Sequence, residues 1–577
     1  MWPFFSHADL ILLHPPSVFD FRDHPIMFGP ISDVIPSTAI FEMYPVGFSA
    51  MAEYLDRKGF KVRIINLALR MLKSRKYDPE AVIRTLKPKA FGIDLHWLPH
   101  VQGSLKVASI CKKLHPDIPV IMGGFSSSYF FRELLQRPEV DYVLRGDSTE
   151  EPLRVLMEAI KNGRTQDLSH VPNLAWKTPS GQIEVNPISH VPEVLDHYVD
   201  NYGFMIRTAI RYLDIKSLLP IHDWWSYPIT AVMTCRGCAH SCSFCGGGRY
   251  GLKLFGQRVK PAFRSPQMIV QDIRQISSFT SAPIFVVGDL RQAGEAYAEQ
   301  VMEGLEPLKI SNHIVLELFG KAPSSYFKRL AKAVPNFNLE MSPESHDIDV
   351  RGASGKHYTN QELEETIQAA LEAGCRKFDL FFMIGLPRQT FDSVLETVGY
   401  CEELLKKFGP RLVPFISPLA PFIDPASPIF EDPERFGYRL FFRRLEEFEN
   451  ALLQPSWKYA LGYETKWMSR DQIVEATYEA ALRLNRIKAA HGLLDRGSSQ
   501  RLEQRIELAR RLVRQIDQCL LLPEAERKRA LEAIRNQIQQ VNSDTLCEAR
   551  EIQWPSPRNF HFMGIVRRLL HSRWNGG

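Results

Sequence analysis

Cys238, Cys242 and Cys245 lie between Thr234 and Gly248 with the spacing C-x3-C-x2-C. A loop this tight can aim three thiolates at one cubane [4Fe-4S] cluster and leaves the fourth iron without a protein ligand. An open iron can bind a substrate or cosubstrate, which a four-cysteine electron-transfer site cannot do. Cys235 precedes Cys238 by C-x2-C. Four thiolates could therefore close a structural zinc site on a non-enzymatic interaction scaffold. Zinc ribbons usually split their ligands between two separated knuckles, whereas these four share one stretch behind an apparent strand at 229–233. Cys111, Cys375, Cys401, Cys519 and Cys547 are scattered singly, which is the pattern of a reducing compartment and not of a disulfide framework.

The elements that must hold this loop are strands alternating with helices. Strand patterns at 229–233, 284–288, 313–319, 337–342, 377–384 and 412–417 are separated by helix patterns near 267–279, 295–305, 323–333, 360–373 and 390–406. Six such units predict a partial (β/α)6 barrel with its chemistry on the rim where the strands end. Residues 9–160 alternate in the same way, with apolar runs at 10–13, 62–66, 90–95, 119–122 and 141–144. Continuous apolar strands between helices predict a doubly wound, Rossmann-like parallel sheet. Ligands of such sheets settle beyond the carboxyl ends of the strands. Here those ends read His14-Pro-Pro-Ser17, Asp94-Leu-His-Trp97, Gly123-Gly-Phe-Ser126 and Gly146-Asp-Ser-Thr149. Small residues there let a large flat ligand approach the backbone. No GxGxxG follows the first strand, which argues against a dinucleotide.

A chain of 577 residues exceeds one core. The divisions expected are 1–164, a connector at 165–225, the barrel at 226–429, and a helical region at 430–577. A net charge of +5 gives no argument for nucleic acid. No run approaches the ~18 apolar residues of a spanning helix, and the start lacks a basic n-region, so the cytoplasm is the expected location. Near the end, Phe562, Ile565, Val566, Leu569 and Leu570 form an apolar stripe among Arg567, Arg568, His571 and Arg573. Such a helix can dock on the protein's own core or make a peripheral contact with a membrane.

With Arg236-Gly237 ahead of it and Phe244 before its last cysteine, the loop resembles the signature of radical S-adenosylmethionine (SAM) enzymes. The resemblance implies SAM on the open iron, cleaved to a 5′-deoxyadenosyl radical by one electron from an external donor of flavodoxin or ferredoxin type. Phe244 resembles the aromatic whose backbone meets the adenine. Gly288-Asp289 stands where the family contacts the SAM amino group, in place of the commoner Gly-Gly-Glu. Glu344-Ser345 resembles the pair near the SAM ribose and carboxylate. Lys356 either pairs with the SAM carboxylate or is a solvated loop lysine. Gly385, in Ile384-Gly-Leu-Pro387, would let the adenine lie against the backbone.

The domain ahead of this signature resembles the cobalamin-binding domain of the cobalamin-dependent radical SAM superfamily. The matching pieces are His14-Pro15-Pro16-Ser17, the helix start at Pro45-Val-Gly-Phe48, Gly123-Gly124-Phe125-Ser126 and Gly146-Asp147. The usual cobalt-ligating Asp-x-His-x-x-Gly is missing after the first strand. Asp94-Leu-His96 follows the third strand instead and runs on to Pro99, so no imidazole on cobalt is expected, and His96 and Trp97 border the corrin. The resemblance implies methyl transfer to an unactivated carbon or to phosphorus of a small-molecule or lipid-like substrate. Cyclisation, ring contraction and oxidation are the alternatives within the superfamily.

Overall fold

A computed structural model of the chain describes residues 7–30, 38–178, 180–199, 202–542, 546–555, 557, 559–561 and 564. The first sheet begins with β1 (His7–His14), β2 (Val62–Asn66), β3 (Lys87–Asp94), β4 (Val120–Gly123) and β5 (Tyr142–Leu144). These strands are parallel and ordered β2-β1-β3-β4-β5. Leu10, Ile11 and Leu13 are all fully buried, because helices cover both faces of a parallel sheet and leave no polar side for the strand to present. The connector adds β6 (Leu174–Lys177) and β7 (Ile183–Val185) antiparallel to the β5 edge. The winding reverses between β1 and β3, and a ligand crevice belongs at that point.

The second sheet starts with β8 (Thr230–Met233). A short ladder follows it, β9 (Cys235–Arg236) antiparallel to β10 (Ala262–Phe263). Then come β11 (Ile284–Val287), β12 (Ile314–Leu318), β13 (Phe337–Glu344), β14 (Phe378–Ile384) and β15 (Leu412–Pro418). The order β15-β14-β13-β12-β11-β8 is wholly parallel, so all six carboxyl ends reach one rim. Helices Pro266–Ser277, Glu295–Leu305, Ser324–Ala333, Asn360–Glu372 and Phe391–Phe408 stand where the helical periodicity put them. Trp554 closes the opposite end of the barrel. It is 1% exposed, its indole N–H donates to Asp379 Oδ2 at 2.9 Å, and its ring stacks on Phe285.

The carboxyl-terminal part is helical. It opens with β16 (Tyr438–Leu440) antiparallel to β17 (Tyr463–Thr465). Helix Arg470–Ala490 follows, started by a capping box at Ser469 and Gln472, and it packs on β15 and on helix Phe391–Phe408. Helix Arg496–Leu520 lies against it. The apolar stripe at 562–570 lies outside the described residues, and no described helix is long and apolar enough to cross a membrane.

The two sheets meet along a polar seam. Arg236 of β9 pairs with Glu150, with Nη1 at 2.9 Å from Oε2. Arg258 pairs with Asp147, with Nη2 at 3.0 Å from Oδ1. Burial alone would raise the Glu150 carboxyl, but the charge and hydrogen bonds of Arg236 overcome it and hold the group well below its usual range. Tyr129 with Glu431 and Arg137 with Glu449 extend the contact to the carboxyl-terminal part.

Candidate functional site

Gly237 turns the chain out of β9 with φ +92, and the three cysteines follow on the loop. That loop is tied down through its backbone. Ala239 N–H donates to Gln292 Oε1 at 2.8 Å, Ser243 N–H to the Ser354 carbonyl at 3.1 Å, and Gly246 N–H to Asp424 Oδ2 at 3.2 Å. Ile429 N–H donates to the Ser243 carbonyl. Loops following β11, β13 and β15 thus fix the loop that follows β8. The thiols are met by backbone amides: His240 N–H lies 3.4 Å from Cys238 Sγ, and Gly247 N–H faces Cys245. Burial pushes the Cys238 thiol up to about 11 and raises Cys242 and Cys245 too. Such a donor set needs a strongly cationic centre to hold it as thiolate.

The three sulfurs are spread more widely than a single zinc ion allows. Thiolates sharing one tetrahedral zinc at about 2.3 Å would lie roughly 3.8 Å apart. Among the described residues, the three-donor set found within 4.8 Å is His14, Asp94 and His100, and it includes no cysteine. Cys235 stands apart from the loop on β9, where burial raises its thiol and its Sγ lies toward the Gly237 carbonyl.

Beside the loop, Gly355 has φ +99, and a Cβ there would come within 3.2 Å of Cys242 Cα. This close approach delivers Lys356 to the site. Lys356 is not a solvated loop lysine: its side chain is 10% exposed and its Nζ lies 2.8 Å from Glu344 Oε1. Glu344 ends β13 at a register shift, with φ +68, a costly conformation for a non-glycine residue. Burial raises its carboxyl, and its Oε2 is buried without a hydrogen-bond partner. Ser345 is also buried, but its hydroxyl accepts from Asp347 N–H in the following turn. Phe244 is half-buried against the core.

At the end of β11 the geometry departs from the expectation for Asp289. That carboxylate is spent within the protein, on Arg291 and on Phe319 N–H at 2.9 Å. Glu317 of β12, which the sequence analysis did not single out, reaches the same place and accepts from Gly288 N–H. Burial, helped by Asp289, pushes Glu317 up to about 7. Gly288 needs to be glycine for packing as well, since a Cβ would meet Thr234 Oγ1 at 2.7 Å. Gly385 corrects its expected role. The space beside its α-carbon is filled by the Tyr463 ring, and its carbonyl accepts from Tyr438, so no adenine lies on that side of it.

Across the seam the first sheet's strand ends turn mostly inward. Pro16 packs under Gly103 of helix Val101–Leu114, and Ser17 is covered, its N–H on the Ile40 carbonyl and its hydroxyl on Ala39. Gly124 has φ +114, and a Cβ there would lie 2.5 Å from His96 Cα; its neighbour Gly123 is much less confined. Gly124 is therefore glycine for the approach of the His96 backbone, and not to make room for a corrin. Gly146 N–H donates to Ser128, and Asp147 is engaged by Arg258. Ser126 Oγ is buried without a partner. His96 and Trp97 are partly exposed. Trp97 N–H donates to Asp424 Oδ1 at 3.3 Å, the same carboxylate that receives Gly246 N–H. Asp424, missed from sequence, thus joins the first sheet's strand end to the cysteine loop. An apolar cavity of about 910 Å³, lined by Tyr44, Met205, Trp224 and Phe279 among others, lies beside Ile229 and Thr230 at the far end of β8, away from this chemistry.

Comparison with known families agrees with both halves. The B12 binding domain matches residues 33–156, and the Radical SAM superfamily matches residues 232–401. A hopanoid C-3 methylase of Methylococcus capsulatus is 24% identical over 291 residues, half of each chain. An anaerobic magnesium-protoporphyrin IX monomethyl ester cyclase of Rubrivivax gelatinosus is 23% identical over 209 residues, 36% of this chain and 34% of that one. The chain therefore spans about a third to a half of the length of these relatives. The fold is shared with the radical SAM methyltransferase TsrM of Kitasatospora setae, solved with cobalamin and a [4Fe-4S] cluster, at TM-score 0.58 and 15% identity over 88% of this chain and 100% of that one.

Proposed function

The chain belongs to the cobalamin-dependent radical SAM superfamily, and on that premise we propose that it transfers a methyl group to an unactivated carbon or to phosphorus. Its cofactors are a [4Fe-4S] cluster, SAM and cobalamin. When bound, the cluster supplies the electron that cleaves SAM, and the corrinoid supplies a methyl carrier.

The chain's own residues position these groups. Cys238, Cys242 and Cys245 would hold the cluster. Glu317 and the Lys356–Glu344 pair stand around the loop, where they would face the amino and carboxylate ends of SAM. Phe244, Gly288 and Ser345 complete that wall, and Gly385 supports it through Tyr463. On the other side His96, Trp97, Gly123 and Ser126 would border the corrin, with Pro16, Ser17, Gly124, Gly146, Asp147 and Asp289 acting behind the site as supports. The observation that carries the reading is the Trp97–Asp424–Gly246 link. It sets the strand end of the first sheet directly against the cysteine loop, so a methyl carrier on one and a radical source on the other would share one space.

An external electron donor of flavodoxin or ferredoxin type is required, and a reduced cytoplasm suits the free thiols. The test is anaerobic reconstitution with methyl-deuterated SAM, followed by mass spectrometry of cell extracts with and without the enzyme. A product carrying the deuterated methyl is expected. A consumed compound whose product carries no label would replace methyl transfer by cyclisation, ring contraction or oxidation.

A further inference from the structure

We propose that His14, Asp94 and His100 bind one divalent transition metal, distinct from the cysteine loop and from the corrinoid. The three residues are 0%, 3% and 1% exposed, and one donor atom from each lies within 4.8 Å of the others. They come from the end of β1, the end of β3 and the start of helix Val101–Leu114.

The proton inventory leads to the metal. His14 Nε2 lies 3.0 Å from the Phe41 carbonyl, which can only accept, so that nitrogen carries a hydrogen. His14 Nδ1 lies 3.0 Å from Asp94 Oδ1 and 3.2 Å from Oδ2, and an ionised carboxylate also can only accept. A proton, on His14 or on Asp94, or a metal ion must sit between Nδ1 and the carboxyl. His100 decides between them. Its Nδ1 is buried with no hydrogen-bond partner, while the ring's other polar neighbour is the Pro15 carbonyl. A proton in either place leaves that nitrogen unpaired, at a cost of about 1–3 kcal/mol. A metal takes the lone pairs of both imidazoles together with Asp94 and leaves none unpaired.

The surroundings have the form of outer-shell support. The Phe41 carbonyl holds the His14 tautomer, and His96 Nδ1 holds Asp94 Oδ2 at 2.8 Å. Two imidazoles and one carboxylate suit zinc, iron or nickel, and not magnesium or calcium. The ion would pin β1, β3 and the following helix together beneath the crevice.

Zinc is the probe. Full-length holoenzyme, isolated anaerobically and equilibrated with zinc, is passed through a desalting column, and its iron, cobalt and zinc are counted in the same sample. About one zinc per chain is expected, with a zinc-edge absorption spectrum showing nitrogen and oxygen at about 2.0–2.1 Å and no sulfur. His100→Ala and the milder His100→Gln should each weaken zinc binding at least about tenfold while cluster iron stays at the wild-type level. Wild-type protein without zinc overturns the site, as does sulfur in the zinc shell or full zinc retention in both variants. The wild-type spectrum needs no variant to fold, and the iron and cobalt counts report separately on the cofactors of the proposed function.

Discussion

Around Cys238, Cys242 and Cys245 the backbone hydrogen bonds are made and the side chains are left over. Around His14 and Asp94 the reverse holds, for the side chains close on one another and on backbone carbonyls. The first rim is a held-open loop whose donors await a ligand. The second is a strand end whose side chains face one another, with His96 and Trp97 partly exposed. The difference teaches where a motif can be trusted. A motif of ligand atoms names its site directly, whereas a motif of small residues marks a close approach and leaves open what approaches.

The largest effect separates ligand from neighbour within the first rim. Cys242→Ala should abolish SAM cleavage, measured as 5′-deoxyadenosine, because a cubane iron loses its protein ligand. Cys235→Ala should keep wild-type iron, and equal iron loss in both variants would break the three-ligand assignment.

Next is the seam that brings the rims together. Arg236→Ala leaves Glu150 charged and buried, which should cost about 3–5 kcal/mol in chemical denaturation. Replacing both partners by apolar residues should recover much of that loss. An Arg236→Ala protein as stable as wild type would show that the seam does not depend on the pair.

A smaller effect tests the second rim. Gly124→Val should destabilise the protein by about 3 kcal/mol through its positive φ and the His96 backbone, and should reduce corrinoid uptake with it. Gly123→Ala, with open space beside it, should keep wild-type stability. An equal loss of stability in the two variants would remove the His96 backbone as the reason for glycine at 124.

The last effect is a pH dependence of at most about 3 kcal/mol from Glu317. Its carboxyl is raised from 4.5 to about 7 in the folded protein. The folded state therefore holds the extra proton between those values, and stability falls as pH rises from about 4.5 to about 7. Glu317→Gln should flatten the melting temperature across that window. An unchanged profile would place the proton elsewhere.

Strand positions were legible because buried parallel strands are continuous apolar runs, and the barrel helices were legible from their periodicity. The cysteine loop stood out by its spacing and its neighbouring residues. Glu317 was not, because one carboxylate inside Ile-Val-Leu-Glu-Leu looks like ordinary strand alternation. Asp424 lies in a loop with no period, and its two partners, Trp97 and Gly246, are remote in sequence. The Tyr463 ring over Gly385 is likewise a tertiary contact that no local pattern carries. His14 and His100 were visible as residues, but the pairing through Asp94 depends on how β1 and β3 lie side by side.

The ion pairs Arg236–Glu150 and Arg258–Asp147 also bear on how the two halves depend on each other. Each pair puts its carboxylate on the first half and its guanidinium on the second, so neither half covers its own charges, and separating the halves would strand all four.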